Sequence, residues 1–360
     1  MKSFQPRGLR LTRLRLVVAG SAVAALAITA CGSSASSGSS GSSGSGGSGG
    51  SAASAWADVN VGIALSPPKV IFMGPYVAQA NGYFAKEHLR VKFISMPNGL
   101  QTELGTTAGS IDFGFSSGTD SIEAAAQHAP IHAIWSYGTK LDTQCIGAPG
   151  IHTAKDLIGK PVGSTGTDGF SITLLQACLE PAGVSLSQVK PIDMVRSEFV
   201  PAMVARRIDA AVFHADDAYV ITHQLKGTSV LSSEYKVIPK WWYGGVSMLD
   251  SYGQAHHDVV VRFLTAMMMA DRWMNNPANN SALVALATKT TQESQAAVAY
   301  AVKFLRTSGT WPDGTGLDPS AVNYTAGVLA KYKDIPAQPS YSKIVDNSYA
   351  NQALAKLGGS

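Results

Sequence analysis

The chain has 360 residues, with 28 Lys plus Arg against 24 Asp plus Glu and a net charge of +4. Five of the basic residues (Lys2, Arg7, Arg10, Arg13 and Arg15) and no acidic ones precede Cys31, so the remainder is near neutral, with 23 basic and 24 acidic residues. At 14% charged residues and without a basic cluster, the body offers no surface for nucleic acid, and no apolar run approaches the roughly 20 residues that span a bilayer.

The N-terminus is a basic segment followed by an apolar stretch at 16–30, too short for a span and of the length of a signal-peptide core. Residues 1–30 are therefore expected to be an export signal. The sequence ITAC at 28–31 resembles the bacterial lipobox, which implies that Cys31 is acylated, with palmitate-type chains, and becomes the mature N-terminus. Residues 32–54 comprise 8 Gly, 12 Ser and 3 Ala, a composition with nothing to bury. Residues 31–55 are thus expected to be a lipidated cysteine and a flexible tether, with an r.m.s. span of about 25 Å. The expected location is the extracytoplasmic face of the cell membrane, with contact through the lipid anchor only.

From residue 59 short β-branched or aromatic runs alternate with longer amphipathic ones, the pattern of an α/β protein with mostly parallel strands. Strands are predicted at 59–65, 91–95, 111–115, 131–137, 143–148, 161–164, 189–193, 210–213 and 245–249. Helices are predicted between them at 75–81, 101–108, 170–180 and 200–206, and beyond them at 258–275, 281–287, 292–305, 321–332 and 347–357. The segments AGSIDF at 108–113 and ARRIDA at 205–210 both close a helix and enter a strand through Ile-Asp, 97 residues apart. A repeat of this size predicts two similar lobes, each large enough to bury its own core. After Cys31 two cysteines remain, Cys145 and Cys178, and their spacing is compatible with a disulfide or with two buried free thiols.

The run GPYVAQANGYF at 74–84, followed by LRV at 89–91, resembles the opening of ABC-transporter solute-binding proteins of the nitrate, sulfonate, taurine and thiamine-precursor type. That opening has the pattern P-x-x-V-A-x-x-x-G-[FY]-F and then G-L-x-V, and here His88 stands where its second glycine is usual. AGSID at 108–112, IHTAKDLIGKPVG at 151–163, VDNSY at 345–349 and the helix around 353–358 resemble later segments of the same family, in the same order. The resemblance implies a type II periplasmic-binding-protein fold, with two doubly wound lobes joined by a two-strand hinge near 139–146 and 242–248. Lobe 1 would hold 57–141 and 247–360, and lobe 2 would hold 142–246. It further implies a monomer that captures a small molecule between the lobes and hands it to ABC permease subunits, with no cofactor.

In such sheets ligands sit beyond the carboxyl ends of strands, where helix N-termini present free N–H groups. The candidate ligand-binding residues are Phe72, Met73, Asn98, Ser116, Ser117, Thr119, Ser164, Thr165, Thr167 and Phe170 in four such loops. His214 and Asp217 follow the strand at 210–213, where Asp216 or Asp217 would accept from an amine or would simply cap the next helix. Trp242 and Tyr243, beside Trp241 at the second crossing, would stack on a flat or cationic ligand or would pack in the core. Arg196 is either an anion partner or a surface residue. An acid with aromatic rings favours an amine-bearing or heterocyclic ligand over nitrate, with sulfonates and taurine kept as the family's other class.

One enzymatic reading competes. GFSSG at 114–118 fits the nucleophile elbow G-x-S-x-G, with Ser116 as nucleophile, Asp216 or Asp250 as the acid and His256 or His257 as the base of a lipoprotein hydrolase. No His-Gly-Gly segment supplies an oxyanion hole, which favours binding over attack. HExxH and CxxC are both missing from the sequence, so no metal site is expected, and adjacent His256 and His257 would diverge on a helix.

Overall fold

The computed structural model describes residues 55–166 and 169–359. The expected leader, Cys31, the tether and Thr167 lie outside the described residues. In chain order the strands are β1 (Ala57–Ala64), β2 (Leu89–Met96), β3 (Phe113–Ser117), β4 (Ile131–Gly138), β5 (Gln144–Gly147), β6 (Pro161–Ser164), β7 (Lys190–Asp193), β8 (Ala210–Phe213), β9 (Ser229–Ser233) and β10 (Gly244–Leu249). They form two five-stranded sheets, ordered β2-β1-β3-β10-β4 and β7-β6-β8-β5-β9.

The two orders are one pattern. In each sheet three parallel strands are followed by an antiparallel one: β10 in the first, which returns from beyond the strands of the second sheet, and β5 in the second, which directly precedes β6 in the chain. The expectation of mostly parallel sheets therefore holds only for β1 to β3 and β6 to β8. The chain crosses between sheets at 139–143 and again at 234–243. The first crossing lies within the expected 139–146, and the second overlaps the start of the expected 242–248; β5 and β10 themselves each complete their hydrogen bonding within one sheet.

Burial explains which runs became central. β3 and β8 are buried at every position, as strands covered on both faces must be. β7 is exposed throughout and carries Lys190 and Pro191, which suits an edge. The Ile-Asp echo delivers the chain to the same place twice, since β3 and β8 are the third strands of their sheets. Ile111 and Ile208 are buried there, and Asp112 Oδ2 accepts the Asn60 N–H at 2.7 Å, stitching β3 to β1. The long His257–Asn275 helix covers the first sheet, with Phe263 stacked on Phe113 at 4.0 Å and on Phe84 at 5.6 Å. His88 adopts φ 54°, in the left-handed region, which accounts for the glycine usual at that place.

Cys145 on β5 and Cys178 on the Gly169–Leu179 helix form a disulfide, with Cα atoms 6.2 Å apart across 33 residues of sequence. By loop-closure entropy it contributes about 3–4 kcal/mol. Reduction under native conditions is therefore expected to lower the urea midpoint by an amount equivalent to that figure. An unchanged midpoint in thiol-treated protein, with two free thiols counted, would sink this assignment.

Candidate functional site

The carboxyl ends of β1, β2 and β3 face those of β6 and β8 across a cavity of about 360 Å3. Ala64, Leu65, Asn98 and Ser117 line it from the first sheet, and Thr165, Phe170, Arg196 and His214 line it from the second. Tyr137 and Tyr243 line it at the crossings.

Four predicted pairs of neighbours are split by this cavity. Phe72, Ser117, Thr165 and Tyr243 line it, whereas Met73, Ser116, Ser164 and Trp242 are buried elsewhere. At 116–117 and 164–165, at or just past strand ends, consecutive side chains leave on opposite faces, so only one member of each pair reaches the ligand side, whereas Phe72 and Met73 diverge around a helical turn. Ser116 turns under the sheet, where its hydroxyl donates to Glu103 Oε1 beside Ser121 and Ser247. Ser164 Oγ donates to the Gly166 carbonyl at 3.0 Å. Trp242 is fully buried, its Nε1 donating to Ser136 Oγ at 3.1 Å. Met73 packs in the core, and Thr119 is buried within the Gly118–Ala126 helix without lining the cavity.

The cavity wall is aromatic. Tyr137 and Tyr243 meet edge to face at 5.6 Å, Phe72 lies 5.1 Å from Tyr137, and Phe170 meets Tyr243 edge to face at 5.5 Å. His214 lies 6.3 Å from Tyr243. Burial raises the phenol pKa values of Tyr137 and Tyr243 well above the usual range, so both rings stay neutral. His214 Nδ1 is 3.0 Å from Asp142 Oδ1, which fixes the ring and leaves Nε2 as its other polar atom.

The acids are not those expected. Asp120, Glu123 and Gln127 line the cavity from the Gly118–Ala126 helix and its C-cap, at spacings of three and four residues that put them on one helix face. This spacing was legible in the sequence. Asp120 also closes a capping box with Ser117, accepting its backbone N–H at 3.1 Å. Two glycines allow this approach: a Cβ on Gly99 would fall 1.9 Å from Asp120 Oδ2, and one on Gly118 would fall 2.5 Å from the Trp242 carbonyl oxygen. Asn98 caps the Gly99–Thr107 helix through the Gln101 N–H at 2.9 Å.

Asp217 lines an adjoining cavity of about 550 Å3 instead. There it pairs with Lys69 at 2.7 Å, and Glu293 pairs with the same ammonium at 3.0 Å. Asp216 accepts the Val70 N–H at 3.3 Å. Burial pulls the Lys69 pKa down, but the fields of Asp216, Asp217 and Glu293 outweigh it and leave the ammonium above its ordinary range.

The triad of a hydrolase is not assembled. Ser116 is fully buried and bonded to Glu103, and among the described residues no histidine is a hydrogen-bond partner of it. Asp250 holds His132 Nδ1 at 2.6 Å, and His257 bonds to Gln352.

Comparison with known proteins agrees with this architecture. The model of the NMT1/THI5-like family matches residues 70–280. The formylaminopyrimidine-binding protein of Halalkalibacterium halodurans is 26% identical over 215 residues, 58% of this chain and 64% of that protein. The chain thus spans less than two thirds of that relative. The alkanesulfonate-binding protein of Xanthomonas axonopodis pv. citri, solved bound to MOPS, superposes with a TM-score of 0.65 at 16% identity, over 83% of this chain and 98% of that one. The periplasmic nitrate-binding protein of Synechocystis PCC 6803 superposes with a TM-score of 0.70 at 11% identity, over 84% and 89%. Two mixed sheets, each with one antiparallel strand beside its third parallel one, and a family match over more than half the sequence, make the chain a member of the NMT1/THI5-like family with the bilobal periplasmic-binding-protein fold.

Proposed function

We propose that the chain is the solute-binding component of an ABC importer and that its ligand is a small flat nitrogen heterocycle of the aminopyrimidine class. The observation that carries this reading is the cavity between the sheets, walled by Phe72, Tyr137, Phe170 and Tyr243 and edged by Asp120 and Glu123. Aromatic faces gain most from a flat ring, and carboxylates accept from exocyclic amines or ring N–H groups. The name of the Halalkalibacterium relative supports the same class.

On this reading capture is a binding and closure event, with no covalent step. The two crossings bend as the sheets approach. Acylation at Cys31 and the Gly/Ser-rich segment would hold the monomer on the outer face of the membrane, near the permease that receives the solute.

Differential scanning fluorimetry of the full chain tests the ligand class. A 4-aminopyrimidine, taurine, an alkanesulfonate and nitrate are compared at rising concentration. The aminopyrimidine is expected to stabilise by an amount that grows with the logarithm of its concentration above Kd, about 2.7 kcal/mol at one hundred times Kd. Stabilisation by nitrate or sulfonates alone would overturn the heterocycle assignment.

A further inference from the structure

We propose, resting on the reading above, that the ligand also carries an anionic group, a carboxylate, sulfonate or phosphate, and that Arg196 receives it at the junction of the two cavities. Arg196, Leu65 and Pro97 line both spaces, so the aromatic cavity and the larger one beside Lys69 are contiguous there. The residue is only 9% exposed.

Its charge has no ion-pair partner among the described residues. One of its five N–H groups, on Nη1, donates to the Val212 carbonyl at 3.1 Å. The guanidinium otherwise lies over the Phe199 ring at 5.2 Å. The carboxylates whose fields reach it are already committed. Asp217 is held by Lys69, Asp142 is held by His214, and Asp216 accepts the N–H groups of Val70 and Asp217.

Lys69, the other cation of this region, has two carboxylates within 3.0 Å. A guanidinium withdrawn from water without such a partner is an expensive arrangement, and it becomes favourable when a bound molecule brings the counter-charge. The planar fork of Arg matches two oxygens of a carboxylate, sulfonate or phosphate at once. With the ring against Tyr137 and Tyr243, a short substituent directed towards the second cavity would bring its anion to this fork.

The test is calorimetric titration of the full chain with 4-amino-2-methylpyrimidine, with the same ring carrying a 5-carboxymethyl group, and with ethanesulfonate. The carboxymethyl compound is expected to bind the wild type at least about tenfold more tightly than the plain ring, an advantage that shrinks with added salt. Arg196→Gln is expected to bind the two rings equally, and Arg196→Lys to recover part of the preference. Equal affinity of the wild type for both rings would overturn the role of Arg196 and leave the heterocycle reading standing. So would a folded Arg196→Gln protein, matched to wild type by circular dichroism, that keeps the preference. Binding of ethanesulfonate alone, lost in Arg196→Gln, would support the anion site and remove the heterocycle. Binding of none of the three would overturn both.

Discussion

Truncating Trp242 to alanine is expected to cost about 3–5 kcal/mol of unfolding free energy, the range for a buried large aromatic. The indole is fully buried against Gly118, and its Nε1 donates to Ser136 Oγ. That hydroxyl in turn donates to the carbonyls of Gly138 and Gly244, on the two strands that flank the crossings. The Trp242 backbone N–H also anchors to Thr325 Oγ1 at 2.8 Å. The loss therefore falls on the joint between the sheets. Trp242→Phe keeps most of the volume and should cost much less. Urea unfolding of the three proteins decides the matter, and an alanine variant as stable as wild type would show that the ring is not part of the core.

Glu103 produces the second large effect, as a pH dependence. Its carboxyl is buried under β3, Oε1 accepts from the hydroxyls of Ser116, Ser121 and Ser247, and Oε2 has no hydrogen-bond partner among the described residues. Burial, opposed by those three hydroxyls, pushes its pKa up to about 7 from the ordinary 4.5. The folded chain thus prefers the protonated acid. Below pH 4.5 the group is protonated in both states and costs nothing, whereas between 4.5 and 7 the cost of the buried charge grows, to about 3 kcal/mol. Stability of the wild type is accordingly expected to fall across this window as pH rises, and Glu234, also pushed up to about 7 by burial, adds in the same direction. Glu103→Gln does not titrate. Its stability relative to wild type is expected to shift in its favour by about 3 kcal/mol between pH 4.5 and 8, whatever the fixed cost of the amide. Parallel pH profiles for the two proteins in urea titrations would show that Glu103 is not the titrating group.

Sequence reading reached the fold because the fold depends on periodicity and burial. Strands β6 and β8 match the expected 161–164 and 210–213 residue for residue; β8 is the apolar run AAVF, and β6, PVGS, lies between the turn at Gly159 and the polar loop after Ser164. β9 escaped because SVLSS at 229–233 is a half-buried run with three serines. The helix Gly118–Ala126 escaped because it opens on residues, GTDS, that also read as ligand loop, and the helix weighed after Asp216 and Asp217, Ala215–Gln224, has no predicted bounds for the same reason. The first of these omissions mattered for the site, because Asp120, Glu123 and Gln127 travel on it or at its end. For the pairs at 116–117, 164–165 and 242–243, composition places two suitable side chains at the right strand end. It does not say which of them faces the cleft, since that is fixed by pleat and register against neighbours distant in sequence.

The Lys69 ion cluster ties the segment after β1 to the helix after β8 and to the turn at Glu293. The two halves of the molecule are thus crosslinked by charge as well as by chain, beside the space a solute must enter. On the proposed reading that contact must break before the halves part, so opening of the cleft is expected to carry the cost of separating a largely buried ion pair.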